Sequence, residues 1–484
     1  MSIGLNLLSG HNNRPRTDIP SAFLQTIRLA NLKLYNSRSS FPIFLSPEVS
    51  ALFQFKHAHF LTIAIFCSTF VVAQDASKLT PSLAPGNKIA IIGDSITEQK
   101  LYSKFMEAYL HACSGVPDLH VFQFGWSGEQ ASGFAARMEN DLTVFNPTIA
   151  TTCYGMNDGG YQPYQEAIGK NYENNMRKIF DKMEKLGVKS VVVGSPGAVD
   201  ANFFRPGQTM GDQPSHVAYN DNLAHLRDID RNLANERKYL FADVHATMFD
   251  AMTKAQATLG KEYDVCGRDG FHPGNNGQLL MAFAFLKGLG LDGNIGEIAI
   301  DLKGTSTVSG GHKILNIAAG SLELESVRWP YCFQGDEKSS NGTRSIIPFT
   351  SFNEDLNRFT LKVTGLDASM ANVKWGKVER KFSREQLAAG INLAAAYSET
   401  PFDDSFQKLL DTIAAKQNFE TYMIKSIITD FRSLPKELAK DEELQKAIEI
   451  FRSRLAARQQ ELDEAVHRSL VPVKHQIQIT AFNS

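Results

Sequence analysis

The chain alternates short, continuously apolar runs with longer amphipathic stretches between residues 88 and 290. A short apolar run is typical of a strand that is buried on both faces. The runs lie at residues 88–93, 119–125, 148–155, 190–194 and 239–244. Apolar residues at helical spacing mark the stretches 164–186, 216–237 and 278–289. This alternation predicts an α/β fold, with a parallel sheet that helices cover on both faces.

Beyond residue 292 apolar and polar residues alternate singly, as in strands that expose one face. The alternation covers residues 298–333 and 359–363, and Asn341-Gly342 is typical of a turn. We therefore expect an α/β domain over residues 84–292 and a small β domain over residues 294–400.

The C-terminal part of the chain returns to a helical pattern. Residues 401–470 are rich in charged residues and predict a helical segment. Pro435 divides it into two helices, because proline lacks the N–H that a helix interior needs. Single alternation returns at residues 471–479. Residues 471–484 are thus predicted to form a C-terminal strand that joins the β domain.

An apolar run at residues 60–73 follows Lys56 and ends in a polar pair. Val71 and Ala73 are small residues at the spacing that signal peptidase requires, so residues 57–74 are predicted to be a signal peptide. Residues 1–56 form an N-terminal extension of unknown role. The protein is then secreted or periplasmic, with no stable membrane span after cleavage. A membrane anchor is the alternative, although the run is shorter than the ~20 residues of a typical span.

Length, net charge and cysteine spacing exclude or disfavour several classes of fold and function. A chain of 484 residues exceeds one hydrophobic core, and a net charge of −2 gives no support for nucleic-acid binding. The sequence indicates no oligomeric state. Four cysteines follow the predicted signal peptide, without a CxxC pair that would indicate a zinc ribbon. Either two disulfides or four buried thiols is compatible with export. The four are Cys113, Cys153, Cys266 and Cys332.

Ser95 follows the first predicted strand directly, in the sequence Ile-Gly-Asp-Ser-Ile-Thr. Ligands of parallel sheets bind beyond the carboxyl ends of the strands. There the Ser95 hydroxyl and its own N–H would face a region where a helix N-terminus favours negative charge. The alternative is that Asp94 or Ser95 only caps the helix.

Asp269 and His272 lie three residues apart in a turn before the last predicted helix of the α/β part. At this spacing the carboxylate can reach Nδ1 of the imidazole. It would fix the tautomer and stabilise the imidazolium that forms when His272 takes a proton from a serine. A simple turn is the alternative for this pair.

Gly128 and Asn157 follow the second and third predicted strands, in Trp-Ser-Gly-Glu and Gly-Met-Asn-Asp. A tetrahedral intermediate needs hydrogen-bond donors aimed at its oxyanion. A glycine N–H and an asparagine amide are suitable donors at this edge of the sheet. Each residue alone is also compatible with a plain turn.

Taken together, the four blocks Gly-Asp-Ser, Ser-Gly-Glu, Gly-x-Asn-Asp and Asp-x-x-His resemble the SGNH hydrolases, also called the GDSL esterase/lipase family. The resemblance covers about residues 86–290. It implies a flavodoxin-like three-layer α/β/α sandwich and no metal or organic cofactor. The β domain and the helical segment lie outside it.

The resemblance also implies roles for single residues. The nucleophile of the family falls on Ser95, and its acid/base pair falls on Asp269 and His272. Its oxyanion donors fall on the Ser95 N–H, Gly128 and Asn157. The expected reaction is hydrolysis of a carboxylic ester through an acyl-enzyme.

The expected substrate is a short acyl ester, in particular an acetyl group on a carbohydrate. The block reads Gly-Asp-Ser-Ile-Thr, which is similar to the carbohydrate-esterase and arylesterase side of the family. Asp94, Trp126 and Tyr161 are the predicted substrate-binding residues. The rings of Trp126, Tyr161 and Tyr164 are suited to stack on a sugar, and a general surface role is the alternative for all three rings. A lysophospholipase or thioesterase is one alternative. A non-catalytic glycan-binding surface protein is another.

Overall fold

The computed structural model of the protein describes residues 83–318, 320–435 and 437–483. A parallel five-stranded sheet lies in the first half of this part, with the strand order β2-β1-β3-β4-β7. Its strands are β1 Lys88–Gly93, β2 His120–Gly125, β3 Ile149–Cys153, β4 Ser190–Gly194 and β7 Leu240–Ala242. A small ribbon of β5 Thr209–Met210 and β6 Gln213–Pro214 stands apart.

Seven helices accompany the parallel sheet in the described residues. They are α1 Ser95–Glu98, α2 Tyr102–Ala112, α3 Ala131–Leu142, α4 Glu166–Lys185, α5 Ser215–Arg237, α6 Val244–Leu259 and α7 Asn275–Gly288. Alternate residues of β1 serve opposite faces of the sheet: Ile89 and Ile91 pack with α2 and α7, whereas Ala90 and Ile92 pack with α3 and α4. The helices thus form a layer on each face, which confirms the predicted three-layer sandwich.

The strand order explains where a ligand can bind. Strand β1 lies between β2 and β3, so the chain crosses to one side after β1 and to the other side after β2. The loops that follow β1 and β2 diverge there and leave a crevice beyond their carboxyl ends. Ser95 is the second residue after β1, at the mouth of this crevice.

Two further sheets follow the parallel one. Their orders are β10-β11-β16-β13-β14 and β15-β12-β8-β9. The strands are β8 Asn294–Asp301, β9 Thr307–Val308, β10 His312–Ala318, β11 Ser321–Ser326, β12 Arg358–Thr364, β13 Met370–Trp375, β14 Val378–Ser383, β15 Ile391–Asn392 and β16 Val473–Phe482. The last strand, β16, lies between β11 and β13 and is antiparallel to both.

The remaining helices surround and connect these strands. They are α8 Phe352–Leu356, α9 Arg384–Ala389, α10 Leu393–Ala396, α11 Asp403–Ser426 and α12 Glu442–Ser469. Short 3-10 turns lie at Ile347–Phe349, Ile428–Ser433 and Leu438–Lys440. The break between α11 and α12 contains Pro435, as the sequence predicts.

The alternation at residues 327–333 does not form a strand. Trp329, Tyr331 and Phe333 are buried and give the segment its period of two. The backbone of Tyr331 bonds to a side chain instead of a neighbouring strand: the Asn357 amide accepts from the Tyr331 N–H at 2.8 Å and donates to the Tyr331 carbonyl at 3.0 Å. The Trp329 N–H donates to the Ala112 carbonyl, at the end of helix α2. Burial of large rings therefore imitates a strand pattern here.

Helix α11 returns to the parallel sheet and packs against α2 and β2. Met423 and Ile424 near its end join the same buried cluster as α3 and α4. The other buried cluster combines residues of α2 and α7 with residues of the two later sheets. The apolar core is thus shared between the parts that the sequence divides at residues 292 and 400, and those domain limits stay a prediction.

The predicted extension at residues 1–56 and the signal peptide at residues 57–74 lie outside the described residues. No helix within the described ranges is long and apolar enough to cross a membrane. The four cysteines of the described chain are buried free thiols.

Candidate active site

The first helix begins where β1 ends, and it exposes Ser95 at the crevice. Asp94 is the N-cap of α1, and its Oδ1 accepts a hydrogen bond from the Ile96 N–H at 3.0 Å. Ser95 is the first helical residue and is half-buried. The cap therefore fixes the turn that presents the serine hydroxyl and N–H.

Ser95, His272 and Asp269 form a continuous hydrogen-bonded chain. Ser95 Oγ lies 2.9 Å from Nε2 of His272, and Nδ1 of the same ring lies 2.7 Å from Oδ2 of Asp269. The other carboxylate oxygen, Oδ1, accepts from the backbone N–H groups of Phe271 and His272. One oxygen of Asp269 thus holds the turn while the other orients the ring.

The turn around His272 depends on close backbone packing. Gly270 has φ +85°, and a Cβ there would lie 2.3 Å from the Phe204 backbone nitrogen. Partial burial raises the pKa of the Asp269 carboxyl, but hydrogen bonds from His272 and Phe271 outweigh it and leave this pKa below its usual value. The carboxyl is therefore ionised at neutral pH and can stabilise a protonated His272.

The predicted oxyanion donors lie on two loops at the same edge. Gly128 is exposed with φ +73°, and no described atom lies within 4 Å of the position of a Cβ. The Asn157 amide donates to the Glu129 carbonyl at 3.0 Å and accepts from the Tyr161 hydroxyl at 3.1 Å. Since an amide carries two N–H groups, one remains for an oxyanion.

Two carboxyl groups that the sequence analysis does not single out, buried Glu129 and half-buried Asp158, hold these loops. Glu129 accepts from the Arg137 guanidinium at 2.7 and 2.8 Å and from the Tyr154 hydroxyl at 2.7 Å. Asp158 accepts from the backbone N–H groups of Ala131 and Gly155. Glu129 and Asp158 are the last residues of the sequence blocks that contain Gly128 and Asn157. Their position in these blocks is the signal by which the sequence could have identified them.

Burial of Asp158 raises the pKa of its carboxyl to about 6, although the two backbone N–H groups favour the ionised form. Asp94 nearby has a pKa raised to about 7, chiefly by burial and further by the charges of Asp158 and Glu129. Ionisation of Asp94, Asp158 and Glu129 together is therefore unfavourable, because their negative charges repel one another in a buried region next to Ser95.

Helix α11 also contacts the loop after β2 that carries Trp126, Ser127 and Gly128, which we call the oxyanion loop. Lys425 Nζ lies 2.7 Å from Oε1 of Glu98, and the other Glu98 oxygen accepts from the Ser127 N–H at 2.5 Å. The same ammonium lies 4.9 Å from the centre of the Trp126 ring. A residue 298 positions after Ser127 thus helps to hold the loop that carries Gly128.

The residues predicted to meet substrate have different surroundings. The Asp94 side chain is buried and caps α1. Trp126 is half-exposed beside Lys425 and contributes to a pocket of about 460 Å³ that also includes Gly128. Tyr161 packs on Phe271 with ring centres 5.3 Å apart. Contacts of these three with a substrate stay a prediction.

Tyr164 stands apart from that group. Its ring stacks on His225 of α5 with ring centres 4.0 Å apart. Stacking on a sugar would have to use its other face, so Tyr164 is the weakest of the three predicted rings.

The pocket at the nucleophile is shallow and lined by polar residues. It has a volume of about 420 Å³ and includes all three residues of the hydrogen-bonded chain. Its other lining residues are Glu98, Gln99, Lys100 and Ser127. Apart from Ser95, His272 and Asp269, the pocket is therefore lined by charged, amide and hydroxyl side chains.

Comparison with known proteins gives a family match and a shared fold. Residues 91–280 match the GDSL-like Lipase/Acylhydrolase family. No curated protein matches the chain. A solved structure of a gut microbial diltiazem-metabolizing enzyme is 21% identical, with a TM-score of 0.64, and the match covers 83% of this chain and 99% of that one. An acetylxylan esterase from Geobacillus stearothermophilus is 23% identical, with a TM-score of 0.35, over 43% of this chain and 96% of that one.

The first of these structures shares the fold well beyond the family match. Coverage of 83% of the chain is about twice the length of residues 91–280. The common fold must therefore include sheets and helices that follow the α/β part.

The raised pKa of Asp94 predicts how stability depends on pH. The folded carboxyl has a pKa of about 7 against an ordinary value of 3.8, so the folded protein holds a proton that the unfolded chain releases. Stability is then lost as pH rises from about 4 to 7. Asp94→Asn keeps the cap but cannot ionise, and we expect it to exceed the wild type by up to about 4 kcal/mol at pH 8.

The measurement is urea unfolding of both proteins at pH 4.5 and pH 8. At pH 4.5, where Asp94 is protonated in the folded state, the two proteins should differ little. An equal difference at both pH values would show that the substitution acts through packing and not through ionisation.

Proposed function

Because residues 91–280 match the GDSL-like Lipase/Acylhydrolase family, we propose that this protein is a serine ester hydrolase that works through an acyl-enzyme. The family match agrees with the predicted resemblance over residues 86–290. The observation that carries the proposal is the pair of hydrogen bonds that links Ser95 to His272 and His272 to Asp269.

In the first half of the reaction, His272 Nε2 takes the proton of Ser95 while Oγ attacks the ester carbonyl carbon. Asp269 stabilises the imidazolium that results. The negative oxygen of the tetrahedral intermediate accepts hydrogen bonds from the Ser95 N–H, the Gly128 N–H and the Asn157 amide. The intermediate then breaks its bond to the alcohol, and His272 gives the alcohol its proton.

In the second half, His272 takes a proton from water as the water oxygen attacks the acyl-enzyme carbonyl. The same donors hold the second oxyanion. Breaking the bond to Ser95 releases the carboxylic acid, and the proton on His272 returns to Oγ. The protein supplies the nucleophile, the acid/base pair and the oxyanion donors, and water supplies the oxygen that deacylates Ser95.

We propose a short acyl group on a polar alcohol, in particular an acetylated carbohydrate, as the substrate. The surface beside Ser95 offers Glu98, Gln99 and Lys100, which favour a polar alcohol over a fatty chain. Half-exposed Trp126 and Tyr161 flank this surface and offer rings for a sugar. A lysophospholipase or thioesterase would need an apolar groove at this place. The intact geometry of Ser95 and His272 argues against a non-catalytic glycan-binding protein.

Replacement of single groups tests the mechanism. Ser95→Ala should lower kcat for p-nitrophenyl acetate by roughly 10⁴-fold or more, because the nucleophile is lost. Asn157→Ala should lower kcat by about 10²- to 10³-fold, as expected for one oxyanion donor. Ser127→Ala is the matched control, since it alters an exposed hydroxyl in the same pocket.

Circular dichroism should show that all three variants are folded. Near-wild-type activity in a folded Ser95→Ala protein would rule out the proposed mechanism. An unchanged kcat in Asn157→Ala would show that Asn157 is not an oxyanion donor and that its role is limited to its hydrogen bonds with Glu129 and Tyr161.

Lys425 tests whether helix α11 positions the oxyanion loop. Lys425→Met leaves Glu98 without its cation, so the Ser127 N–H and the following Gly128 should shift. We expect kcat to fall by about 10- to 100-fold with little change in KM, because misplacement of a donor affects mainly the transition state. Lys425→Arg should restore most of kcat.

Lys408→Met provides the control for this series, because Lys408 is an exposed lysine of the same helix. The two methionine variants should melt at similar temperatures. A wild-type kcat in Lys425→Met, or no recovery in Lys425→Arg, would refute the positioning role.

An acyl-chain series tests the substrate class. The specificity constant kcat/KM for p-nitrophenyl esters should fall steeply from acetyl to octanoyl, because a small polar pocket loses transition-state binding when the chain lengthens. The same series on Ser95→Ala gives the background rate. A rise towards octanoyl would favour the lysophospholipase-type alternative.

A further inference from the structure

Three polar side chains converge at the amino edge of the parallel sheet, away from the candidate active site. His120 is the first residue of β2, and Asp463 and His467 lie one turn apart on α12. One ligand atom from each of the three lies within 4.8 Å of the other two. His120 Nδ1 is 2.5 Å from Oδ2 of Asp463, and His467 Nε2 is 3.7 Å from the same oxygen.

Several polar atoms in this cluster are buried without a hydrogen bond. Within the described residues, Nε2 of His467, Oδ1 of Asp463 and Nε2 of His111 have no hydrogen-bond partner. The side chains of Asp463 and His111 are only 5% and 2% exposed. The His111 and His467 rings lie 4.9 Å apart. Oδ1 of Asp463 lies 3.7 Å from the Lys416 ammonium, and Nε2 of His111 lies 3.7 Å from Glu107. Nε2 of His467 lies 3.7 Å from Oδ2 of Asp463, which is too far for a hydrogen bond. Buried polar atoms without hydrogen bonds are rare in folded proteins, and the gap between His467 and Asp463 indicates a missing ligand.

The charges around the cluster favour a cation. Lys416 is fully buried, and its ammonium lies 3.1 Å from Glu107, 2.8 Å from Glu420 and 3.7 Å from Asp463. Three buried carboxyl groups thus share one ammonium, which leaves an excess of negative charge when all three are ionised and the histidines are neutral. A divalent cation beside Asp463 would balance that excess.

We propose that His120, Asp463 and His467 bind a divalent transition-metal ion. Two imidazoles with one carboxylate are a ligand set that zinc accepts in proteins, with a fourth position left to water. Tetrahedral zinc ligands lie ~3.3 Å apart. His120 and Asp463 would therefore separate by less than 1 Å to admit the ion.

The surroundings provide access and support for the ion. A cavity of about 730 Å³ lies beside the cluster and is lined by His120, Asp463 and His467, so an ion can enter from solvent. Lys416 lies next to Oδ1 of Asp463 and would orient that carboxylate.

The site is remote from the ester chemistry. His120 pairs in register with Lys88, whereas the carboxyl ends of the same strands pair at Gly93 and Gly125. Five residues of strand separate the two edges by about 17 Å. The ion would therefore not touch the substrate. It would tie α12 to the parallel sheet, so its role is structural.

Metal binding by the whole protein tests this proposal and needs no ester substrate. The protein is stripped with a chelator and titrated with Co²⁺ and Zn²⁺, while Co²⁺ absorption and melting temperature are followed. We expect one ion per chain and a rise in melting temperature of several degrees. His467→Gln should weaken binding by about 100-fold.

His225→Gln is the matched control. His225 and Asp221 have the same i,i+4 spacing and the same 3.7 Å separation as His467 and Asp463, but both are exposed. This variant should bind like the wild type. His272→Ala should also bind normally, which distinguishes the proposed site from the nucleophile pocket.

Three results would overturn the proposal: no ion bound, equal affinity in His467→Gln and His225→Gln, or loss of binding in His272→Ala. If His467→Gln does not fold, anomalous scattering at the zinc edge locates the ion in crystals of the unchanged chain. An ion at His120 and His467 supports the proposal, and an ion elsewhere refutes it.

Discussion

The burial of the Lys416 ammonium is the constraint on which the junction between the C-terminal helices and the parallel sheet depends. A buried charge costs several kcal/mol unless charged and polar groups surround it. Glu107 of α2 and Glu420 of α11 supply the charges, and the Val121 carbonyl of β2 accepts a further hydrogen bond. Because Glu107 and Val121 belong to α2 and β2, the ammonium has all of its partners only when α11 packs against both elements.

This fixed position has an effect at the candidate active site. Lys425 lies nine residues after Lys416 on the same helix, which is about 13 Å along its axis. Because the contacts of Lys416 fix the position of α11, Lys425 lies next to Glu98 and the Trp126 ring. The loop that presents Gly128 is supported by Arg137 from within the α/β part and by Lys425 from outside it. The C-terminal region thus belongs to the architecture of the site even though it contributes no reacting group.

The sequence was sufficient for features that depend on neighbouring residues. Strands β1 and β4 begin and end at the predicted residues, because buried parallel strands read as continuous apolar runs. Asp269 and His272 are hydrogen-bonded to each other, as their spacing of three residues in a turn predicts, while their catalytic role stays a prediction. Features that depend on contacts between residues far apart in the sequence could not be predicted from the sequence alone. Nothing near Ser127 indicates that Lys425 will be its indirect support, and the rings at residues 329–333 give a strand-like pattern without a strand.

The position of β16 has a consequence for how the protein is made. The final strand of the chain is the middle strand of a five-stranded sheet. While the ribosome is still translating α12, the hairpins β10-β11 and β13-β14 are complete but have nothing to join them. Each leaves an unpaired edge on the nascent chain, and exposed edges of this kind are prone to wrong pairing. The parallel sheet ends at Ala242 and can form during synthesis. Assembly of the second sheet must wait until β16 has emerged from the ribosome.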